Sequence, residues 1–390
     1  MPMPPESPCS ASPRAMASAF LLAGEASGDR IGARLMAGLH RRVPGIAITG
    51  VGGEAMEEQG LQTLFPLDDL AVMGYRDVLL RLPLLLWRAH EVVRHILATR
   101  PDVVVLIDAQ VFSKVVAQRL RKRGFKGRII LYVAPAVWAW GAERARKLAG
   151  LFDEVLSVLP FEPRAMLRLG GPETAYVGHP AVTRYAQRAQ PVETGPLLLL
   201  PGSRKSEIDK HLDLLRAVAQ RVAGQEAVSG FVIVSTRSQA AYIAKRVGQW
   251  PFAGTIASTE DQRTLAFATA VAAVAVSGTV TLELALAGIP HVITYVAEPM
   301  QVRMFEKATV KHIGLPNLIA GAEVVPEILF AGRGEPQRLE EAVARLLENP
   351  GVREAQARAF VHIRSLMEKG APEAPLQDPV ERIAAHLALS

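Results

Sequence analysis

The sequence predicts an α/β protein made of two doubly wound, parallel-sheet domains that face each other across a cleft. Three observations predict this. Apolar, strand-like runs alternate with helical stretches from Ala19 to about Ile319, which is the order of βαβ units. The alternation pauses once, at the polar, two-proline segment 186–196, and then restarts with the run at 197–200. The run at 271–276 is continuous and rich in β-branched residues, as in a central parallel strand covered on both faces.

With 390 residues, 49% of them hydrophobic, the chain is long enough for two separate cores. Net charge is +6, and the basic residues are scattered apart from short clusters at 119–123 and 144–147. No Lys/Arg stripe alternates with aromatics, which argues against nucleic-acid binding. An acidic small substrate, an anionic membrane surface or ordinary solvated helix faces account for the balance. The single cysteine, Cys9, excludes an internal disulfide framework and a Cys-based zinc site, and suits a reducing compartment. Arg14 and the apolar run 15–23 have the look of a secretion signal. The run leads directly into Gly24-Glu25-Ala26-Ser27-Gly28-Asp29 and an amphipathic helix, so it reads as a first strand. No segment reaches transmembrane length.

In order, residues 1–17 read as a disordered tail, and 18–185 as a first domain with strands at 19–22, 46–51, 103–107, 129–133 and 155–158. A helical stretch at 78–97 is interrupted by Pro83, and its segment 82–87 is apolar almost all round. A buried helix explains that, and so does an exposed patch that takes up acyl chains or touches a membrane. Asp108 follows the strand at 103–107, at the carboxyl edge where open α/β sheets bind ligands, so it is a candidate acid or base as well as a strand-end cap. The loop 134–140, with Trp138 and Trp140, is too aromatic for a mere connector. His179, between Gly178 and Pro180, reads as a turn-stabilising residue.

The second domain, 197–370, opens with a strand delivered into Gly202, Ser203 and Arg204. That is a phosphate-type loop, since glycine permits close approach, serine offers a cap and a donor, and arginine brings forked donors. It matches neither a P-loop nor a dinucleotide fingerprint. Further on, Ser277, Gly278 and Thr279 end the strand at 271–276 and open a helix, Ser277 or Thr279 being placed to cap it. Free amides and a positive helix end should therefore face a ligand. Glu283, one turn in, would repel phosphate yet could accept hydrogen bonds from a ribose; complementing the helix dipole is the plainer explanation. The strand at 291–295 and the segment 315–319 complete the second sheet, and 371–390 reads as a C-terminal helix that packs back on the first domain.

Several stretches, taken together, are similar to one known family. They are Ala-Gly-Glu-Ala-Ser-Gly-Asp at 23–29, Ala-Val-Met-Gly at 71–74, Ile-Asp-Ala at 107–109 and Tyr-Val-Ala-Pro-Ala-Val-Trp-Ala-Trp at 132–140. Leu-Pro-Phe-Glu at 159–162, Leu-Leu-Pro-Gly-Ser-Arg at 199–204, Ser-Gly-Thr with Glu283, and Leu-Pro-Asn-Leu at 315–318 follow in the same order. With these the chain resembles the lipid-A-disaccharide synthases, inverting glycosyltransferases of the GT-B class with two Rossmann-like domains.

The resemblance implies a donor, UDP-2,3-diacylglucosamine, on the second domain, and an acceptor, 2,3-diacylglucosamine 1-phosphate, largely on the first. It implies Asp108 as the base, with Glu25 second. Gly202, Ser203, Arg204, Ser277, Gly278, Thr279, Glu283 and Asn317 would bind the UDP-sugar, and Met73, Trp138, Leu85 and Trp87 the acceptor or its acyl chains. No cofactor and no metal are expected, because no Asp-x-Asp or His cluster is present. The protein should sit in the cytoplasm, peripheral to the inner face of the membrane, with its oligomeric state left open.

The chain also departs from the family pattern near the cleft. Gln110-Val111-Phe112-Ser113 replaces Pro-Asp-Phe-Asn, Ala134-Pro135-Ala136 replaces Ser-Pro-Ser, and Phe330 stands where a glutamine is usual. These bear on acceptor identity more than on nucleotide use. A paralogue transferring another UDP-sugar and a silent UDP-sugar- or lipid-binding protein are accordingly the competing readings.

Overall fold

In the computed structural model, residues 17–70, 75–140, 142–252, 254–306, 310–332 and 335–387 are described. The expected tail over 1–17 falls almost wholly outside this set, as does the motif 71–74 with Met73.

The first sheet contains β1 (Ser18–Ala23), β2 (Ala47–Val51), β3 (Val103–Ile107), β4 (Arg128–Tyr132), β5 (Glu154–Ser157) and β6 (Glu173–Tyr176), in the order β2-β1-β3-β4-β5-β6. The second contains β7 (Gly195–Leu200), β8 (Val228–Val234), β9 (Gly254–Ala257), β10 (Ala272–Val276), β11 (His291–Ala297) and β12 (Glu327–Ala331), in the order β12-β11-β10-β7-β8-β9. All pairings within both sheets are parallel. Each sheet doubles back beside its first strand, which opens a crevice at the carboxyl edge. These are the two doubly wound sheets that the sequence predicts, and the GT-B arrangement that the resemblance implies.

The central strands behave as the apolar runs require. β3 and β10 are buried throughout, and β1 apart from its first residue. β1 pairs on both sides, with β2 and with β3, so 18–23 is an interior strand.

The helices used below are α1 (Ala26–Arg42), α2 (Tyr75–Thr99), α3 (Gln110–Lys122), α4 (Lys205–Val222), α5 (Glu260–Thr269), α6 (Thr279–Ala287), α7 (Pro350–Lys369) and α8 (Pro379–Ala384). α2 runs through Pro83 without a break. The segment 315–319 is a short helix, Leu315–Ala320; the neighbour of β11 at the sheet edge is β12. Proline as its second residue suits a helix start, where the missing N–H is not needed.

The chain's last part ties the halves together. Arg364 of α7 donates to the carbonyls of Val182, Tyr185 and Leu286. Tyr176 Oη, at the end of β6, donates to Met367 O at 2.6 Å. α8 then lies against α1, and its Arg382 reaches the buried Glu154 of β5 at 2.7 Å.

Candidate active site

Asp108 follows β3 in the left-handed region, with φ of 57°, and Ala109 (43°) and Val133 (74°) share that conformation. Each such non-glycine residue costs about 1–3 kcal/mol, and a cluster of them marks a place where the fold imposes a backbone direction. Asp108 N donates to Tyr132 O at 2.9 Å, Val133 N to Leu156 O at 2.9 Å, and Ser113 Oγ to Asp108 O at 2.8 Å. Gly24 is required opposite this turn, because a Cβ there would lie 2.0 Å from Ala109 Cβ. Burial raises the Asp108 carboxyl above the usual range, partly offset by a hydrogen bond from the Ala109 backbone. The result is a half-buried carboxylate, fixed by backbone rather than by an ion pair.

Asp108 lines a cavity of about 630 Å³ that both domains build: Val133 and His179 come from the first, Thr279 and Glu283 from the second. His179 Nδ1 accepts from Ala181 N at 3.0 Å, and burial lowers its pKa to about 4. It is a neutral turn cap in the cavity wall, in keeping with its setting between glycine and proline.

Gly202, Ser203, Arg204, Ser277, Gly278, Thr279 and Glu283 meet in a second cavity of about 360 Å³ at the carboxyl edge of the second sheet. Thr279 and Glu283 line both cavities, so the two are adjacent. The local chemistry differs from the sequence expectation in three respects.

The first concerns the loop amides. Glu207 Oε2 accepts from Ser203 N at 3.1 Å and Arg204 N at 3.2 Å, and its other oxygen pairs with the Arg204 guanidinium at 3.0 Å. Gly202 has φ of 101°, and a Cβ would sit 2.7 Å from Glu207 Oε2, so glycine is needed to seat that carboxylate. The residue before α4 is Arg204, and Ser203 contributes no cap. The second concerns α6, whose N-terminus is Gly278 with no side-chain cap. Ser277 Oγ instead donates to Ile313 O at 2.9 Å, and Thr281 Oγ1 to Gly278 O at 2.8 Å, which leaves the helix end open to a ligand.

The third concerns Asn317, which does not line the donor cavity. It is fully buried; Oδ1 accepts from Val324 N and Val325 N at 2.8 and 2.9 Å, and Nδ2 donates to Val325 O and Glu327 Oε1 at 2.8 and 2.7 Å. All four of its hydrogen-bonding positions are used, so it shapes a loop and cannot reach a ligand.

Glu283 is more engaged than a lone acid would be. Its Oε1 accepts from Arg184 at 3.2 Å and its Oε2 from Arg263 at 2.9 Å, while Arg184 also grips Glu260 at 2.6 and 2.9 Å. Each carboxylate oxygen keeps a second lone pair, so a diol can still donate to it. Arg184 and Arg263 had no motif around them, and only the folded network reveals them.

Trp138 Nε1 donates to Glu162 Oε1 at 3.2 Å, and its ring meets Phe161 edge-on at 5.1 Å. Glu162 is fully buried, which pushes its pKa up to about 8 against the hydrogen bonds from Trp138 and Leu159. Trp138 thereby projects into a largely apolar cavity of about 330 Å³, shared with Ser277, Tyr295 and Leu329 of the second domain. Glu25 is exposed and stands at the N-cap of α1, with no side-chain cap bond. The acid of the same motif that is used structurally is Asp29, which accepts from Gly53 N, Ala55 N and Met56 N at 2.7, 3.0 and 3.2 Å.

The apolar segment of α2 divides. Leu85 turns inward and packs on the first-domain core, so it is not a free acyl contact. Leu80, Leu82, Leu86 and Trp87 are exposed, Leu80 by 82%, which contradicts the buried-helix reading for this face. Arg88 lies over the Trp87 ring at 4.3 Å.

A family model described as lipid-A-disaccharide synthetase matches residues 19–377. The chain belongs to the lipid-A-disaccharide synthetase family. Among curated relatives, it is 37% identical over 361 residues to a lipid-A-disaccharide synthase of Bradyrhizobium diazoefficiens, covering 90% of this chain and 92% of that one. It is 39% identical over 363 residues to that of Rhodospirillum centenum, covering 90% of each. A solved structure of S. aureus MnaA with UDP superposes with a TM-score of 0.60 at 12% identity, over 95% of this chain and 96% of that one, and shares the fold. In the Ile-Asp-Ala stretch at 107–109 Asp108 lines the cavity, while the exposed Val111 stands three residues on, in the first turn of α3. Among the described residues no cluster of three or more His, Cys, Asp or Glu could hold a metal ion.

Proposed function

We propose that the cleft joins UDP-2,3-diacylglucosamine to 2,3-diacylglucosamine 1-phosphate, giving lipid A disaccharide 1-phosphate and UDP. By family membership the chain is a lipid A disaccharide-forming glycosyltransferase of the GT-B fold, and the proposed transfer proceeds with inversion. The observation that carries the finer reading is the adjacency of the two cavities. A carboxylate with a raised pKa stands on the first domain, and an uncapped helix end with Arg204 and Glu283 stands on the second.

In this reading the domains, 18–185 and 197–370, divide the substrates between them. UDP lies at the second domain, with its diphosphate at Arg204 and the start of α6 and its ribose at Glu283. The acceptor hydroxyl lies at Asp108, which removes its proton as the bond to UDP breaks. Arg204 and the helix end stabilise the charge that develops on the leaving diphosphate. The apolar cavity at Trp138 suits an acyl chain. Mixing the protein with both lipids should yield the disaccharide phosphate, with the new glycosidic bond opposite in anomeric configuration to the donor's, as read by NMR. A product with the donor's configuration would overturn the single-displacement mechanism, and a product only with some other UDP-sugar would favour the paralogue.

Both lipid substrates would reach the cleft from a membrane surface, and α2 supplies the contact in this proposal. No described helix is long and apolar enough to cross a membrane. The exposed face at Leu80, Leu82, Leu86 and Trp87 is apolar, and the chain is cationic overall, which suits peripheral binding to the anionic inner face of the cytoplasmic membrane. Replacing Leu80 and Leu82 together by serine should reduce partition onto phosphatidylglycerol vesicles severalfold with an unchanged melting temperature. Unchanged partition would reject this face as the contact.

A further inference from the structure

The largest of these cavities has an unmatched positive wall. Ser27, Arg30, Ile31 and Arg34 of α1 line it, and Arg30 and Arg34, four residues apart, lie on one helix face. Both are exposed, and among the described residues neither guanidinium makes a hydrogen bond or an ion pair. The other arginines of the cleft are engaged: Arg184 with Glu260 and Glu283, Arg263 with Glu283, and Arg204 with Glu207. Arg30 does act across the cleft on Glu260, whose carboxyl is held low first by its bonds to Arg184 and least by Arg30. Both Glu260 oxygens are nevertheless taken by Arg184.

From this geometry we infer that Arg30 and Arg34 form a phosphate-monoester site that holds the acceptor sugar by its phosphate while a hydroxyl of the same sugar faces Asp108. The inference rests on the proposed reaction and adds to it the residues that select a phosphorylated acceptor. Two guanidiniums offer forked donors and two charges, which match a phosphate monoester near neutral pH. Topology assigns the site to the acceptor. α1 follows β1 and Asp108 follows β3, and these strands are neighbours with Ala23 in register with Ile107, so the arginines and the base share one sheet edge. The diphosphate of UDP has its own cation and helix end on the opposite domain. One sugar ring can span a phosphate at one end and a reacting hydroxyl at the other inside a cavity of about 630 Å³.

The test is a double variant, Arg30→Gln with Arg34→Gln, and its control with Lys at both positions. Both side chains are exposed, so the melting temperature should hold. Against 2,3-diacylglucosamine 1-phosphate the Gln variant should raise KM roughly 10- to 100-fold, the loss expected for charged hydrogen bonds, with partial recovery in the Lys variant. With the same lipid lacking its phosphate, parent and Gln variant should be equally poor. Affinity for UDP should stay within twofold. A parallel loss of UDP affinity would assign the arginines to the diphosphate and overturn the proposal. An equal loss with both acceptors, or none with either, would also overturn it. Glucosamine 1-phosphate serves as a soluble probe without turnover: it should bind the parent and not the Gln variant, and unphosphorylated glucosamine should bind neither. A parent that binds this probe through the arginines yet transfers nothing would sink the proposed reaction and leave the phosphate site standing. A probe that binds both proteins alike would sink the site alone.

Discussion

Asp108→Asn is expected to lower turnover by about a hundredfold or more while leaving UDP-sugar affinity within a few-fold of the parent. The substitution keeps the shape but removes the negative charge and with it the ability to take a proton. Asparagine tolerates the left-handed backbone that Asp108 adopts, so the strained turn with Ala109 and Val133 should survive and the melting temperature should change little. Burial raises the Asp108 carboxyl above the usual carboxylate range, and the base must be ionised to work. The parent's kcat/KM should therefore fall as pH drops through that raised value, and the residual activity of the variant should lack this acid limb. Val111→Asp, which restores an acid on the exposed first turn of α3, should mainly shift the acceptor's KM. Were the parent inert with both lipids and Val111→Asp active, Asp108 would be insufficient as the base.

The second large effect concerns the nucleotide. Saturating UDP should raise the melting temperature by mass action, and Arg204→Ala should weaken UDP roughly 10- to 100-fold, as for loss of hydrogen bonds to a charged group. The Arg204 side chain is 80% exposed and, among the described residues, ion-paired with Glu207 alone, so it can turn to a ligand without opening the core. Glu283→Gln should act differently. It should weaken UDP more than inorganic diphosphate, because the ribose contact is lost. It should also lower the melting temperature, because Arg184 and Arg263 lose a shared carboxylate that is only 12% exposed. Equal weakening of UDP and diphosphate by Glu283→Gln would refute the ribose role, and an Arg204→Ala protein that binds UDP as well as the parent would refute the diphosphate role.

Much of the fold was legible because parallel central strands are covered on both faces and show up as unbroken apolar runs. β3 matches its expected bounds, and β1, β4 and β10 lie within one residue or so of theirs. Edge elements carried a weaker pattern. β6 and β9 are short and only partly buried, and the sequence reading had no strand at either place. The short helix Leu315–Ala320 is expected in the sheet because Leu315, Leu318 and Ile319 form too short an apolar stretch for its period to distinguish a strand from a buried helix.

The residues that the sequence places at strand ends, Asp108, Arg204 and the start of α6, line the two adjoining cavities of the cleft. The site was misread where a polar side chain serves the fold. Asn317 lies in a motif but spends its amide on Val324, Val325 and Glu327, and the amides of Ser203 and Arg204 are satisfied by Glu207, four and three residues on. Arg30, Arg34 and Arg184 escaped notice because nothing local marks them. Arg184 meets Glu260 and Glu283, 76 and 99 residues on, only in the folded chain, and an arginine on a helix surface such as Arg30 or Arg34 otherwise reads as solvated.

The central claim, that one cleft couples UDP departure to attack by an acceptor sugar, is tested most directly by release of labelled UDP from UDP-2,3-diacylglucosamine with and without 2,3-diacylglucosamine 1-phosphate. Release should be fast only when the acceptor is present, and should fall about a hundredfold or more in Asp108→Asn. Release at one rate with and without acceptor, or none in either case while UDP still binds, would contradict that claim.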